Sequence, residues 1–267
     1  MRLKNVLAAA LLAAVCAPAA FSAPLFSSQS LQRPIWQTEG TTLSGAAGHI
    51  VTPGAGLLWE DASFAAAAGY TFIAVGGSFA QIPFVHMHLA DQVEITAALD
   101  TRTDSINLLA GSKWRFYQGA SSAAALGFLG QLTDIGPSMA LGGQLYAVAT
   151  FAGAILEWPA ATSILVGYTM KKQGKSDIDF SVGFQTPLLP AVFENRINFL
   201  FDVGNVSYSM NPSAADAQYR GTVNAGLRMN PMHLGDSMRM GLQLSVLDIF
   251  DGGDRALALG MNVQLTN

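Results

Sequence analysis

The stretch RALALGMNVQLTN, residues 255–267, decides the fold because its side chains alternate in character along its whole length. Five apolar side chains share one parity: Leu257, Leu259, Met261, Val263 and Leu265. The other parity carries Ala, Gly, Asn, Gln and Thr, and no charge follows Arg255. Successive side chains of a strand point to opposite faces, so the pattern predicts a β-strand with one apolar face. A tilted strand of about ten residues is long enough to cross a bilayer.

The same alternation recurs from residue 62 onward, for example in residues 93–99, 178–184 and 197–203. Clusters of Asp, Gly, Asn and Pro separate these segments, as expected of turns. The pattern predicts an all-β fold, a closed antiparallel transmembrane β-barrel of about 12 strands. Because residues 151–160 fit either a long turn or part of an extra strand, 10 or 14 strands are also possible. The last strand should pair with residues 62–72, so that no edge stays open.

The composition favours a membrane barrel over a soluble β-protein. Hydrophobic residues make up 51% of the chain and charged residues only 12%, against about 25% charged in average soluble domains. A lipocalin-like barrel or a sandwich would alternate in the same way but would expose more charge. No run of 18 apolar residues follows residue 23, which argues against helical spans. With 14 basic and 18 acidic residues, the chain has no basic footprint for nucleic acid.

The N-terminal 23 residues predict a cleaved signal peptide. Arg2 and Lys4 precede an apolar run over residues 6–15, and small residues follow. A lipoprotein signal acylated at Cys16 is the alternative. Since Cys16 is the one cysteine, the mature chain would have no disulfide, thiolate metal site or cysteine nucleophile. The predicted location is the outer membrane of a Gram-negative cell.

The predicted division of the chain has three parts: the signal peptide at residues 1–23, residues 24–60, and the transmembrane barrel at residues 61–267. Residues 24–60 are either a periplasmic lead-in or a segment that lines or plugs the lumen. Glycines near residues 45–54 permit tight backbone, and Pro53 interrupts regular pairing.

Charged side chains fall on the polar face of the predicted strands. An Arg or Lys facing lipid at mid-membrane costs about 2–4 kcal/mol, so these side chains should face the lumen. The predicted lumen-lining residues are Glu94, Lys113, Arg115, Lys171, Asp179, Asp202, Arg228 and Arg239. Glu94 should form an ion pair with Lys113 or Arg115 across neighbouring strands. We therefore predict a porin-like pore or transport role, with no catalytic residue, metal or cofactor.

Two other functions remain open. His233, Asp236 and Ser237 invite comparison with an outer-membrane hydrolase of the phospholipase type, although triads are defined by geometry and not by adjacency. External loops, in particular residues 208–218, would serve a cell-surface scaffold or adhesin. His86 and His88 are two apart on one face, but the sequence supplies no further ligands for a metal.

Two resemblances add to this interpretation. Gly260, Val263 and Leu265 resemble the C-terminal signal by which barrels are recognised for membrane insertion, without the usual terminal aromatic residue. Residues 45–55, with Gly45, Gly48, Ile50, Thr52, Pro53 and Ala55, together with the following residues 64–70, resemble the opening of YjbH-like outer-membrane proteins linked to exopolysaccharide export. These resemblances imply partners: the barrel-insertion machinery and polysaccharide-export components. Outer-membrane lipid and lipopolysaccharide would surround the barrel.

Overall fold

The computed structural model describes residues 40–58, 63–136, 138–155, 158–171, 177–217, 220–235, 237–253 and 255–266. The predicted signal peptide, residues 24–39 and residues 59–62 lie outside this described part. Twelve strands form one closed barrel in which each strand pairs with its neighbours in sequence. The strands are β1 (Phe64–Val75), β2 (Ser78–Leu89), β3 (Val93–Arg102), β4 (Ser105–Gln118), β5 (Ser122–Thr133), β6 (Ala140–Ile155), β7 (Trp158–Lys171), β8 (Asp177–Pro187), β9 (Ile197–Gly204), β10 (Thr222–His233), β11 (Met238–Leu247) and β12 (Ala256–Thr266).

The final strand closes the barrel against the first, as the sequence predicts. β12 pairs antiparallel with β1, from Ala65 opposite Thr266 to Val75 opposite Ala256. The prediction of 12 antiparallel strands is confirmed. Residues 151–160 belong to neither an extra strand nor a long turn, because β6 runs to Ile155 and β7 starts at Trp158. Closure leaves every strand with two paired edges.

The two faces of the strands differ as the alternation predicts. On β12, Leu257, Leu259 and Met261 are about half exposed, whereas Ala256 and Ala258 are buried. Other large apolar side chains exposed on the outer face include Val85, Leu99, Phe128, Leu145, Val166, Phe180, Val203 and Leu244. The outer surface is therefore an apolar belt, and the polar side chains of the same strands point into the barrel.

One short helix, α1 (Pro190–Phe193), lies in the turn between β8 and β9. Leu189 before it and Glu194 after it adopt left-handed backbone, and Leu189 and Val192 are exposed. In the described part of the chain, no helix has the length and apolar character needed to cross a membrane.

Candidate functional site: the filled barrel interior

Two non-strand segments occupy the barrel interior. The first, residues 40–58, is called the inner segment, and the second, residues 205–217, the inner loop. Bridges between Thr41 and Ala47 and between Gly48 and Pro53 fold the inner segment back on itself. Most of its residues are buried. The part of the lumen that the inner segment occupies is therefore filled with protein.

Both ends of the inner segment contact the two strands that close the barrel, β1 and β12. Near its start, Asn262 Nδ2 on β12 donates to Thr41 Oγ1 at 3.4 Å. Near its other end, Leu58 packs in one cluster with Ala47 and Ala67, of which Ala67 is on β1. Both ends of the inner segment thus contact the same half of the barrel.

The inner loop turns into the barrel, which corrects the prediction of an exposed external loop at residues 208–218 for its described part, residues 208–217. Residue 218 lies outside the described residues. Tyr208 is only 2% exposed and packs with Leu43 and Val51 of the inner segment. Its hydroxyl accepts a hydrogen bond from Ser213 N at 2.6 Å. Gln131 on β5 accepts from Met210 N at 2.6 Å. A surface role for Tyr208 is therefore wrong, because burial of its ring and satisfaction of its hydroxyl both favour the inward position.

The inner segment and the inner loop meet around a small cavity. Val51, Pro53, Val206, Tyr208 and Glu94 are among its lining residues, and its volume is about 30 Å³. A water molecule needs roughly 10–15 Å³ of such space. The gap between the two segments is thus large enough for water but not for a solute molecule.

Lys113 and Glu94 form the first charged contact with the inner segment. The two residues face each other on β4 and β3, and Lys113 Nζ lies 2.8 Å from Glu94 Oε2. The predicted ion pair is thus confirmed for Lys113. The ammonium also lies 3.3, 2.8 and 2.8 Å from the carbonyl oxygens of Ala47, Gly54 and Gly56. Ala47 N donates to the Glu94 carboxylate at 3.3 Å.

Arg228 on β10 makes the second contact. Its Nη1 donates to Gly48 O at 2.8 Å, and its Nη2 donates to Thr41 O at 3.0 Å and to His49 O at 2.6 Å. Gln243 Oε1 on β11 accepts from Nε at 2.9 Å and from Nη2 at 2.6 Å. The guanidinium thus bonds both to side-chain oxygens of the barrel wall and to three carbonyl groups of the inner segment.

Asp202 on β9 makes the third contact. Its Oδ2 accepts hydrogen bonds from three consecutive backbone amides, Ile50 N at 3.1 Å, Val51 N at 2.5 Å and Thr52 N at 3.0 Å. Successive N–H groups that converge in this way form an anion-binding concavity. Here a carboxylate of the barrel wall occupies it.

The other predicted lumen residues lie outside these contacts. Arg115 Nη2 donates to Asp91 O at 2.7 Å. Asp179 accepts from Gln144 Nε2 at 2.8 Å and from Thr169 Oγ1 at 2.6 Å. Arg239 is buried on β11, and the side chain of Lys171 lies outside the described part of the structure. All seven of the described side chains in the predicted set are buried; whether they control ion conduction stays a prediction.

Hydroxyl groups of the wall bind the inner segment as well, and they are not among the site residues predicted from the sequence. Thr150 Oγ1 accepts from Ala55 N at 2.8 Å, Thr71 Oγ1 donates to Leu43 O at 3.3 Å, and Ser181 hydrogen-bonds with Thr52 through the two hydroxyls. The sequence does place these hydroxyl residues on the polar, inward face of their strands. Small hydroxyl residues are common on the polar face of many strands, so parity alone does not distinguish them.

Two histidines, one on the wall and one on the inner segment, join the inner segment to the barrel wall. His86 on β2 lies with Nδ1 3.0 Å from Gly45 O, so this nitrogen donates to the carbonyl. His49 of the inner segment lies with Nε2 2.9 Å from Ser163 Oγ. Burial, and then the positive charge of Arg228, lowers the pKa of His49 from 6.5 to about 3. His49 is thus neutral near pH 7.

This lowered pKa predicts that acid weakens the docked state of the inner segment. Below about pH 6.5 the released imidazole binds a proton, whereas docked His49 does not until about pH 3. The free energy of docking should therefore fall as pH falls across this window, by up to about 1.4 kcal/mol per pH unit. Protease cleavage of the inner segment, measured from pH 7 to pH 4, checks this.

His49→Gln is the control for the acid effect. Glutamine can hydrogen-bond with Ser163 but does not titrate. Other carboxylates titrate in both proteins, so the relevant quantity is the difference between the two pH slopes. Equal slopes would show that His49 carries none of the effect.

The residues of the hydrolase alternative lie at a turn. His233 is the last residue of β10, and both it and Ser237 are exposed beside the turn to β11. Asp236 lies outside the described residues.

The predicted insertion-signal residues all lie on β12. Leu265 and Val263 share the parity of the exposed apolar side chains, and Gly260 has the opposite parity. Recognition of these residues by the insertion machinery stays a prediction.

Comparisons with known proteins give structural neighbours and no sequence family. No family model matches the chain, and no curated protein matches it. Among solved structures, the KdgM porin matches with 6% identity and a TM-score of 0.50 over 75% of this chain and 99% of that one. The NanC porin matches with 8% identity and a TM-score of 0.48, over 76% and 100% of the two chains. The translocator domain of the autotransporter NalP from Neisseria meningitidis matches with 11% identity and a TM-score of 0.40, over 77% and 88%. At such identities the likeness to the KdgM porin is one of fold alone: this chain is a closed antiparallel β-barrel of twelve strands.

Proposed function

We propose that this protein is an outer-membrane channel of the porin type whose lumen is closed by its own inner segment. The observation that carries the proposal is the set of contacts from Glu94, Lys113, Asp202 and Arg228 to residues 40–58. A segment held by hydrogen bonds to charged groups is removable, because its release breaks no strand pairing of the barrel. The proposed role is thus gated transport and not permanent diffusion.

The outer face supports a membrane location for this channel. Apolar side chains cover it on many strands, with exposed residues such as Leu145, Val166 and Phe180. In water, a belt of this extent would be an aggregation surface. In a bilayer it is the surface that lipid requires, and closure of the barrel satisfies the backbone without water.

The proposed function is tested by the conductance of a variant in which Asp202 and Arg228, here called the latch, no longer hold the inner segment. Asp202→Asn combined with Arg228→Met weakens the amide and carbonyl contacts of the inner segment together. In planar bilayers we expect the wild-type protein to remain closed for most of the recording and the double variant to show frequent openings. The physical reason is that hydrogen bonds to charged groups contribute about 1.5–3 kcal/mol each.

Asp179→Asn is the matched control for the latch variant. This carboxylate is also buried but bonds to Gln144 and Thr169 of the wall. We expect the control to conduct like the wild type. Heat-modifiable migration on a gel should establish that all three proteins are folded. If the latch variant is folded but shows no current, the protein is not a channel. If the Asp179 control opens as often as the latch variant, Asp202 and Arg228 are not the residues that hold the lumen closed.

A role in envelope-polymer export is the second candidate. It rests on the resemblance of residues 45–55 to YjbH-like proteins, and these residues lie within the inner segment. Deletion of the gene in a polysaccharide-producing host should then reduce the secreted polymer, and the latch variant should alter its amount. Unchanged secretion in both strains would argue against this candidate.

A further inference from the structure

We propose that the barrel interior is a binding site for polypeptide supplied in trans, which it recognises by its main chain. The site consists of Glu94, Lys113, Asp202 and Arg228, here called the main-chain cradle. The ligand class is an uncharged peptide segment rich in small residues. The proposal rests on the proposed function in one respect, namely that the inner segment can leave the lumen.

The contacts of the cradle to the inner segment are made with backbone atoms. The two cations bind six carbonyl groups, those of Ala47, Gly54, Gly56, Thr41, Gly48 and His49. The two carboxylates accept from four amides, those of Ala47, Ile50, Val51 and Thr52. Peptide groups are common to all sequences, so these ten contacts do not depend on which side chains the ligand carries.

The charge pattern agrees with a neutral ligand. Residues 40–58 contain no Asp, Glu, Lys or Arg. The four charged side chains of the cradle are almost fully buried, where uncompensated charge is costly. Glu94 pairs with Lys113, and Arg228 also donates to the side-chain oxygens of Gln185 and Gln243. The cradle carries two positive and two negative charges, and a neutral segment leaves this balance unchanged.

The space around the inner segment selects small residues. A Cβ atom on Gly40 would lie 2.3 Å from the guanidinium of Arg228, and one on Gly45 would lie 2.6 Å from the ring of Phe84. Gly45 also has a φ of +95°, which favours glycine. Ala47 and Ala55 are fully buried. A ligand with bulky residues at these positions would collide with the wall.

The amide triad favours a peptide over a carbohydrate. Ile50, Val51 and Thr52 direct three consecutive N–H groups to one oxygen of Asp202. This arrangement follows from the regular spacing of a folded main chain. Sugar hydroxyls can donate to a carboxylate too, so a neutral oligosaccharide is a necessary competitor in the test.

The test uses the full chain with a protease site placed within residues 59–62. After folding in detergent, the protease cuts this linker, the released segment is washed out, and a fluorescent peptide of residues 40–58 is added. Anisotropy should show saturable binding. N-methylation of the peptide at Val51 removes one donor to Asp202, and we expect it to weaken binding at least about tenfold. N-methylation at Ser44, outside the contacts of the cradle, should change binding by less than about threefold.

Competition defines the ligand class. An uncharged Ala/Gly peptide of the same length should displace the label, and a neutral oligosaccharide should not. The proposal is overturned if the cut segment cannot be exchanged, if the two N-methylated peptides bind alike, or if only the oligosaccharide competes. Bilayer recordings of the washed protein separate the two proposals: binding without current would contradict the channel alone, and current without peptide binding would contradict the cradle alone.

Discussion

Replacing Lys113 by methionine is expected to lower the free energy of unfolding by about 3–5 kcal/mol, because it leaves a buried carboxylate without its counter-charge. Lys113 is 1% exposed, and its partner Glu94 lies 2.8 Å away on the facing strand. The substitution also removes the donor to Gly54 O and Gly56 O of the inner segment. Urea unfolding in detergent micelles, followed by tryptophan fluorescence, measures the change.

Two further variants show whether the loss arises from uncompensated charge. The double variant Lys113→Met/Glu94→Leu removes both charges and should be more stable than Lys113→Met alone. Arg196→Met removes an exposed ion pair of similar length, in which Arg196 Nη2 lies 2.7 Å from Glu194 Oε2. An exposed pair contributes less than about 1 kcal/mol. If Lys113→Met is no more costly than Arg196→Met, the buried pair is not a major source of stability.

The barrel could be predicted because its physical rule is local and repeated. On β12, the alternation of Leu257, Leu259 and Met261 indicates one apolar face within five residues, and the same period of two recurs on other strands. Once the strands are placed, closure follows, since an unpaired edge cannot remain in lipid. The contact between Glu94 and Lys113 could be predicted as well, because both side chains point inward and their strands are neighbours.

The filling of the interior could not be predicted in the same way. Asp202 contacts Val51 across 151 positions of sequence, and Arg228 contacts His49 across 179. These contacts use backbone atoms of the inner segment, which leave no residue pattern. From the sequence, a plug at residues 24–60 is only one of two alternatives, because the glycines and the proline there permit many conformations.

The inner loop shows a second limit of local rules. Polar composition and length made residues 208–218 an external loop by the usual rule for barrels. Ser209 and Met210 instead bond with Gln131, and Ser213 bonds with Asp100. The polar residues that predicted exposure to water find partners on the inner wall. Composition reports the need for hydrogen bonds and does not say whether water or protein supplies them.

Placing an arginine at Ile164 should destabilise the protein by about 2–4 kcal/mol, because in the proposed membrane location this side chain faces lipid near the middle of β7. Ile164 is 40% exposed, and β7 spans Trp158–Lys171. A charged group at mid-membrane loses its hydration, and its neighbours Ala149 and Val182 on the adjoining strands offer no polar partner. Reversible unfolding in lipid vesicles measures the effect.

Met170→Arg is the matched control, since depth in the bilayer is the variable that differs. Met170 is 46% exposed on the same face of the same strand, one residue before its end. Near the interface the cost should fall to about 0–1 kcal/mol. In water, by contrast, exposed positions of equal accessibility would tolerate arginine equally well. A difference between the two variants thus reports lipid around β7, and equal, small effects would refute the membrane location.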